Sequence, residues 1–398
     1  MLTINVLVVP GSIFTINSTC CEPTIKSNLN KMKIIKKLLL LLTLAPCIAF
    51  GQTTPIPDAR FEQALIALGY DTVLDGSVTT ANINTVETLT INFWDIDDFT
   101  GIEGFAALTY LNCEFNHLTS LDLSNNTALT VLYCGNNELT SLDVSNNTAL
   151  TYMDCKYNQL TSLEIGNNTI LTKLDCHSNQ LTSLDVSGAT SLDYLNCRIN
   201  SIQSLDVSNN TALTVLICND NQFTSLDVSN NAALTDLWCA GNQLTSLDIS
   251  NNPALADFWC ATNQLTSLDV SNNAALTSLV CDENQLNCLA VNNGNNANMS
   301  LLWAYNNPPL TCIEVDDAAY SNTNWVGSSF DVGNQPTFSE DCNIPCDTGT
   351  TGIAEAKPKD KELLTITDIL GRPSQPVSNR VLFYIYDDGS VEKRAQLE

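Results

Sequence analysis

Two kinds of side chain in this sequence have both the chemistry and the spacing to act: thiols and a small set of cations. Nine cysteines return every 21 residues: Cys113, Cys134, Cys155, Cys176, Cys197, Cys218, Cys239, Cys260 and Cys281. Thiols in such numbers can attack, bind metal or pair as disulfides. The fixed period decides among these. A unit that repeats at constant length is one coil of a stack, and its core exists only between neighbours. Equivalent positions on adjacent parallel strands lie about 4.8 Å apart. In register their Cβ atoms stay that far apart, whereas a disulfide needs roughly 3.8 Å. The nine are therefore expected as buried free thiols acting as small hydrophobes, and burial makes a thiol inert. Cys288, Cys312, Cys342 and Cys346 break the period and are the disulfide candidates, with their pairing open.

The cations are few. Lys and Arg total 16 against 43 Asp and Glu, a net charge of −27. That balance excludes binding nucleic acid or anionic lipid by bulk attraction and favours solubility and cationic partners. Between Arg60 and Lys357 only Lys156, Lys173 and Arg198 are basic, and they fall in three consecutive coils. Each is the immediate neighbour of an inward residue of a short strand (Cys155, Leu174 and Cys197), so it points outward. Comparing coils separates scaffold from variable surface. The core columns barely change, while the residues flanking each cysteine change freely. His177 joins the basic group, and Tyr133, Tyr152, Tyr194, Trp238 and Trp259 lie on the same variable face. Exposed aromatics mixed with charges are typical of contact surfaces, although rings can also pack side by side along a sheet.

Catalysis has little to stand on. His117 and His177 are the two histidines, and no H-E-x-x-H, phosphate loop or G-x-S-x-G is present. The chain is read as a non-enzyme with no cofactor. An acidic column (Asp122, Asp143, Glu164, Asp185, Asp206, Asp227, Asp248, Asp269) could attract Ca²⁺, but one carboxylate per coil is a thin coordination sphere and a solvated face is the simpler reading.

The elements that must hold these groups are legible from the phrase L-x-x-L-x-C-x-x-N-x-L, nine times over from residue 108 to about 296. Alternation around Leu111 and Cys113 has period two, so each unit starts with a short strand whose leucine and cysteine face inward. An unbroken column follows: Asn116, Asn137, Asn158, Asn179, Asn200, Asn221, Asn242, Asn263 and Asn284. A chain turning a corner inside a stack strands backbone groups, and asparagine can satisfy them. The second half, L-T-S-L-D-V-S, shows no helical period and ends in turn-forming Ser-Asn-Asn. It predicts a second narrow parallel sheet on the far side of each coil. One unit departs, with Ser187-Gly188-Ala189-Thr190 in place of Ser-Asn-Asn-Thr.

This pattern resembles the leucine-rich repeat family, in the short variety whose motif is nested twice per unit, the IRREKO type. The resemblance implies a mainly β solenoid with narrow parallel sheets and little helix. At family level it is similar to the bacterial internalins, which implies a secreted or surface-displayed protein that recognises a protein or a glycan and serves adhesion. The alternative is a structural surface or spacer protein without a specific ligand.

Residues 53–107 read as an N-terminal cap. Asp58 caps a short helix there, with Phe61, Ala64, Leu65 and Leu68 on one face and Gly69 at its end. Residues 297–346 read as a C-terminal cap with Trp303, Leu310, Ile313, Val315, Trp325 and Phe330 as its core, and 347–360 as a linker. Residues 1–31 read as an upstream extension, and 32–51 as an export signal: Met32-Lys33 opens a charged region before the apolar run from Leu38. No other segment is apolar enough to span a membrane. Over residues 361–398, Ile369-Leu370-Gly371-Arg372, Val381 to Tyr386, a tight turn at Asp387-Asp388-Gly389 and a returning strand from Ser390 are similar to the sorting tails of the type IX secretion system of Bacteroidetes. That resemblance implies passage through the outer membrane to the cell surface, with the type IX machinery as a partner.

Overall fold

A computed structural model describes residues 51–334, 336–342 and 346, and the backbone of three further strands at Leu363–Thr367, Val381–Tyr386 and Val391–Ala395. The expected export signal, but for Gly51, and the expected linker lie outside the described residues, as does the tight turn at residues 387–389.

One sheet of twelve parallel strands runs through the coils, from Thr88–Thr90 to Phe330–Asp331. Each strand is three residues long in the repeats, and its register is fixed by the 21-residue period: Tyr152 lies opposite Lys173, and Lys173 opposite Tyr194. The central residue of each strand (Leu111, Leu132, Met153, Leu174, Leu195, Leu216) and every ladder cysteine are fully buried. The nine thiols are free. Burial pushes each of them up, Cys197 and Cys239 to about 12, so none is a nucleophile near neutral pH.

The turn after each cysteine needs one residue in the left-handed region. Phe115, Asn136, Tyr157, Ser178 and Ile199 all supply φ between 51° and 55° there. The asparagine that follows then closes the corner. Asn221 is typical: its Nδ2 donates to the carbonyls of Cys197 and Cys218, and its Oδ1 accepts from the Ile202 amide at 3.0 Å. A second asparagine column, at Asn126, Asn147, Asn210, Asn231, Asn252 and Asn273, is completely buried as well. Asn231 donates to the carbonyls of Val207 and Asn210, but its own Oδ1 has no partner. In the sequence this column shows only as turn composition.

The far side differs from expectation. Among the described residues, strands pair there only at Ser141–Asp143 with Ser162–Glu164, and in a four-stranded set from Ser267–Asp269 to Thr337–Ser339. In paired and unpaired coils alike, the aspartate accepts from the amide of the serine two residues on, as Asp143 does from Ser145 and Asp227 from Ser229, both at 2.9 Å. This local turn shapes the segment whether or not a ladder forms beside it. It also accounts for the acidic column. Hydrogen bonds from Ser124, Ser145, Ser187 and Ser229 hold the carboxyls of Asp122, Asp143, Asp185 and Asp227 below their usual range.

The departing unit has a packing reason. Gly166 (φ 62°) and Gly188 stand where other coils carry Ser and Asn, and a Cβ built on Gly188 would meet the Gly166 carbonyl oxygen at 2.0 Å. Restoring the repeat consensus with Gly188→Asn is therefore expected to destabilise the fold by about 2 kcal/mol. Urea unfolding checks it, and a gain in stability would contradict the close approach.

At the N-terminal end the helix Ala59–Ala67 is capped by Asp58, whose side chain accepts from the Arg60 and Phe61 amides. Asp58 also accepts from the amides of Asp97 and Asp98, tying the helix to the first coil. Phe61, Ala64 and Leu65 are buried, whereas Leu68, the last residue of the expected face, is 46% exposed. At the other end Cys288 pairs with Cys346, and Cys312 with Cys342. Leu310, Ile313, Val315 and Trp325 are buried there. Trp303 instead belongs to the long sheet, opposite Val280, where it is half-buried. Beyond it, Leu363–Thr367, Val381–Tyr386 and Val391–Ala395 form an antiparallel three-stranded sheet with Val381–Tyr386 at its centre. Among the described residues no helix is long and apolar enough to cross a membrane.

Candidate functional site

Because side chains alternate across a strand, the residues on either side of each buried leucine or methionine stand on the outer face of the long sheet. Three adjacent coils there form a grid set by the register. One row is Tyr152, Lys173, Tyr194; the next is Asp154, Asp175, Asn196. Two residues further along each chain come Lys156, His177 and Arg198. A depression of about 190 Å³ opens in this grid, lined by Tyr152, Met153, Lys173, Asp175 and Tyr194.

The charges of the grid are unequally committed. Lys156 Nζ lies 2.6 Å from Asp154 Oδ2 and 4.0 Å from Glu114 Oε1. Burial works against the Lys156 charge, but these two carboxylates outweigh it and hold the ammonium above its usual range. Burial likewise raises the Asp154 carboxyl, and Lys156 offsets this only in part. Lys173 is exposed and has no ion pair among the described residues, and neither has Arg198, whose Nε is buried without a partner. Tyr152 and Tyr194 are half-buried, and burial first, then neighbouring carboxylates, pushes both phenols up.

His177 is not the exposed member expected. It is 5% exposed, with Nδ1 hydrogen-bonded to Asp175 Oδ1 at 2.5 Å and the Tyr157 ring edge-on at 4.8 Å. Its Nε2 is buried without a partner. Alternation alone points it outward; the Tyr157 ring of the preceding coil and the Asn196 amide of the next lie against it.

Further along the same face, Trp238 and Trp259 stack at 4.5 Å with 9° between their planes. One carboxylate, Asp257, accepts from both indoles, at 3.2 and 2.8 Å. Each ring covers one face of the other, so the pair packs against itself. Tyr133 is similarly engaged, 5.8 Å from Tyr110 and 4.9 Å from Tyr152.

The chain is 34% identical to the functional domain of InlJ from Listeria monocytogenes, a domain described as including a cysteine ladder; the likeness covers 67% of this chain and 68% of that one, with a TM-score of 0.50. It belongs to the leucine-rich repeat family. Two other solved structures agree in fold. The leucine-rich repeat domain of APL1B is 25% identical over 61% of this chain and 74% of that one, with a TM-score of 0.51. A TDR receptor, 18% identical over 59% of this chain and 45% of that one with a TM-score of 0.51, shares the fold alone. No protein-family model matches the chain, and no curated protein matches it. The ladder cysteines of this leucine-rich repeat chain thus stand on the inner side of the sheet, and the grid on its outer side.

Proposed function

We propose that the protein is an exported, surface-displayed binding scaffold that docks a protein or glycan on the outer face of its long sheet. The observation that carries this reading is the convergence of the array's three cations, in a chain of net charge −27, on three neighbouring coils around a tyrosine-walled depression. A face kept only for solubility would spread its charges. A rigid stack holds such a patch without ordering cost on binding. The likeness to internalin-type repeats supports the interaction role, and the resemblance of residues 361–398 to sorting tails supports delivery to the surface. The docking patch centres on Tyr152, Lys156, Lys173, Tyr194 and Arg198, with Tyr133 and the covered His177 bracing it. Trp238 and Trp259 form a second, stiffer element of the same face.

The triple variant Lys156→Ala/Lys173→Ala/Arg198→Ala is expected to lose its partner by at least about tenfold in affinity, since desolvated interface charges are worth over 1 kcal/mol each. A pull-down from the protein's native surroundings with wild-type and variant full-length chains measures this, with circular dichroism to confirm an intact fold. Equal capture by both chains would remove the patch from the function.

A further inference from the structure

The depression lies where Lys173 separates two tyrosines of one row of the sheet. Tyr133, one row over, meets Tyr110 and Tyr152 diagonally on the coils before and after it. On the next coil the position opposite Tyr152 is Lys173, and on the one after that it is Tyr194. Two strand spacings, roughly 9.6 Å, therefore separate the tyrosine positions. A ring placed midway would lie about 4.8 Å from each, inside the preferred range for stacked rings. The protein's own stack of directly opposite rings has nearly that spacing, 4.5 Å for Trp238 with Trp259. The gap is thus the width of one ring.

Its lower edge says what kind of ring. Lys173 is exposed and unpaired, and Asp175 engages His177 through Oδ1 only. A phenyl or indole group pressed between the tyrosines would cover an ammonium and a carboxylate with hydrocarbon and leave both unsatisfied, which is costly. A pyranose differs: its two faces are C–H surfaces that stack on phenol rings, while its rim carries hydroxyls that suit Asp175. Two cations without partners, Lys173 and Arg198, add the demand for an anion.

We propose that the gap takes one uronic acid residue of an acidic polysaccharide, its faces against Tyr152 and Tyr194 and its carboxylate on Lys173. This rests on the reading of the outer sheet face as the contact surface, and it names the ligand class. Lys173 defines the specificity and the tyrosines define the slot.

The test is titration calorimetry of the full chain with oligogalacturonate and with its methyl ester, which keeps the ring and removes the charge. The acid is expected to bind about fivefold more tightly than the ester, the size of one partly exposed ion pair. Lys173→Met should bring the acid down to the ester's affinity and leave the ester unchanged. Tyr152→Ala and Tyr194→Ala should each weaken both ligands by about fivefold. Lys173→Tyr closes the gap with a ring of the protein's own; it should keep or raise the melting temperature and abolish binding of both sugars. Equal binding of acid and ester, or undiminished binding by Lys173→Tyr, overturns the proposal. Failure of both sugars to bind, with partner capture still lost in the triple-alanine variant, overturns the uronic acid and leaves the docking face standing.

Discussion

Asn221→Ala is expected to lower stability by about 3 to 4 kcal/mol, and Asn231→Ala by only about 2, although Asn231 is the more deeply buried of the two. The difference lies in what each amide does. Asn221 donates to two ladder carbonyls and receives the Ile202 amide. Without it, that buried N–H has no partner, at a cost of about 1 to 3 kcal/mol beyond the lost bonds. Asn231 donates to Val207 and Asn210, but those carbonyls keep their bonds from the Asn210 and Leu213 amides, and Oδ1 is already unpartnered. Removing Asn231 therefore orphans nothing. Urea unfolding of the two variants measures the contrast, and hydrogen exchange at Ile202 localises it. Equal losses would mean that both columns act by filling volume, not by satisfying backbone.

Removing the Cys312–Cys342 bridge is expected to cost roughly 3 to 4 kcal/mol, on the chain-entropy account of a loop spanning 30 residues. In a linear stack that loss is local, because each coil contacts only its neighbours. The bridged segment covers the last ladder coils, so reduction should open the solenoid from that end. The readout is internal to the molecule. Nine buried thiols whose reactivity is suppressed by burial report their own exposure. After mild reduction, alkylation followed by mass spectrometry should find Cys281 and Cys260 modified well before Cys134 and Cys113. Simultaneous modification of all nine would show that the array unfolds as one unit and that the bridges do not guard an end.

Both predictions draw on columns that a periodic sequence displays to different degrees. The first asparagine column stands out because it is unbroken and follows the cysteines at a fixed offset. The second hides inside Ser-Asn-Asn, a composition that any exposed turn would share, and only the buried position of its last residue reveals a structural amide. The candidate site divides in the same way. That Tyr152, Lys173, Tyr194 and Arg198 share the outer face followed from alternation about a buried leucine, methionine or cysteine. That Tyr152 and Tyr194 leave a gap, that Trp238 and Trp259 close theirs against each other, and that Lys156 is tied to Asp154 did not follow from it.

By itself the sequence determined the period, the inner and outer sides of each strand, the free state of the ladder thiols and which four cysteines stand outside the ladder. These are consequences of repetition, since whatever holds for one coil must hold for its neighbours. Only the tertiary structure decided which rings touch, that the far side pairs in some coils and not others, that Cys288 joins Cys346, and that His177 lies covered. Those outcomes depend on packing between neighbouring coils, and that packing varies from coil to coil while the period does not.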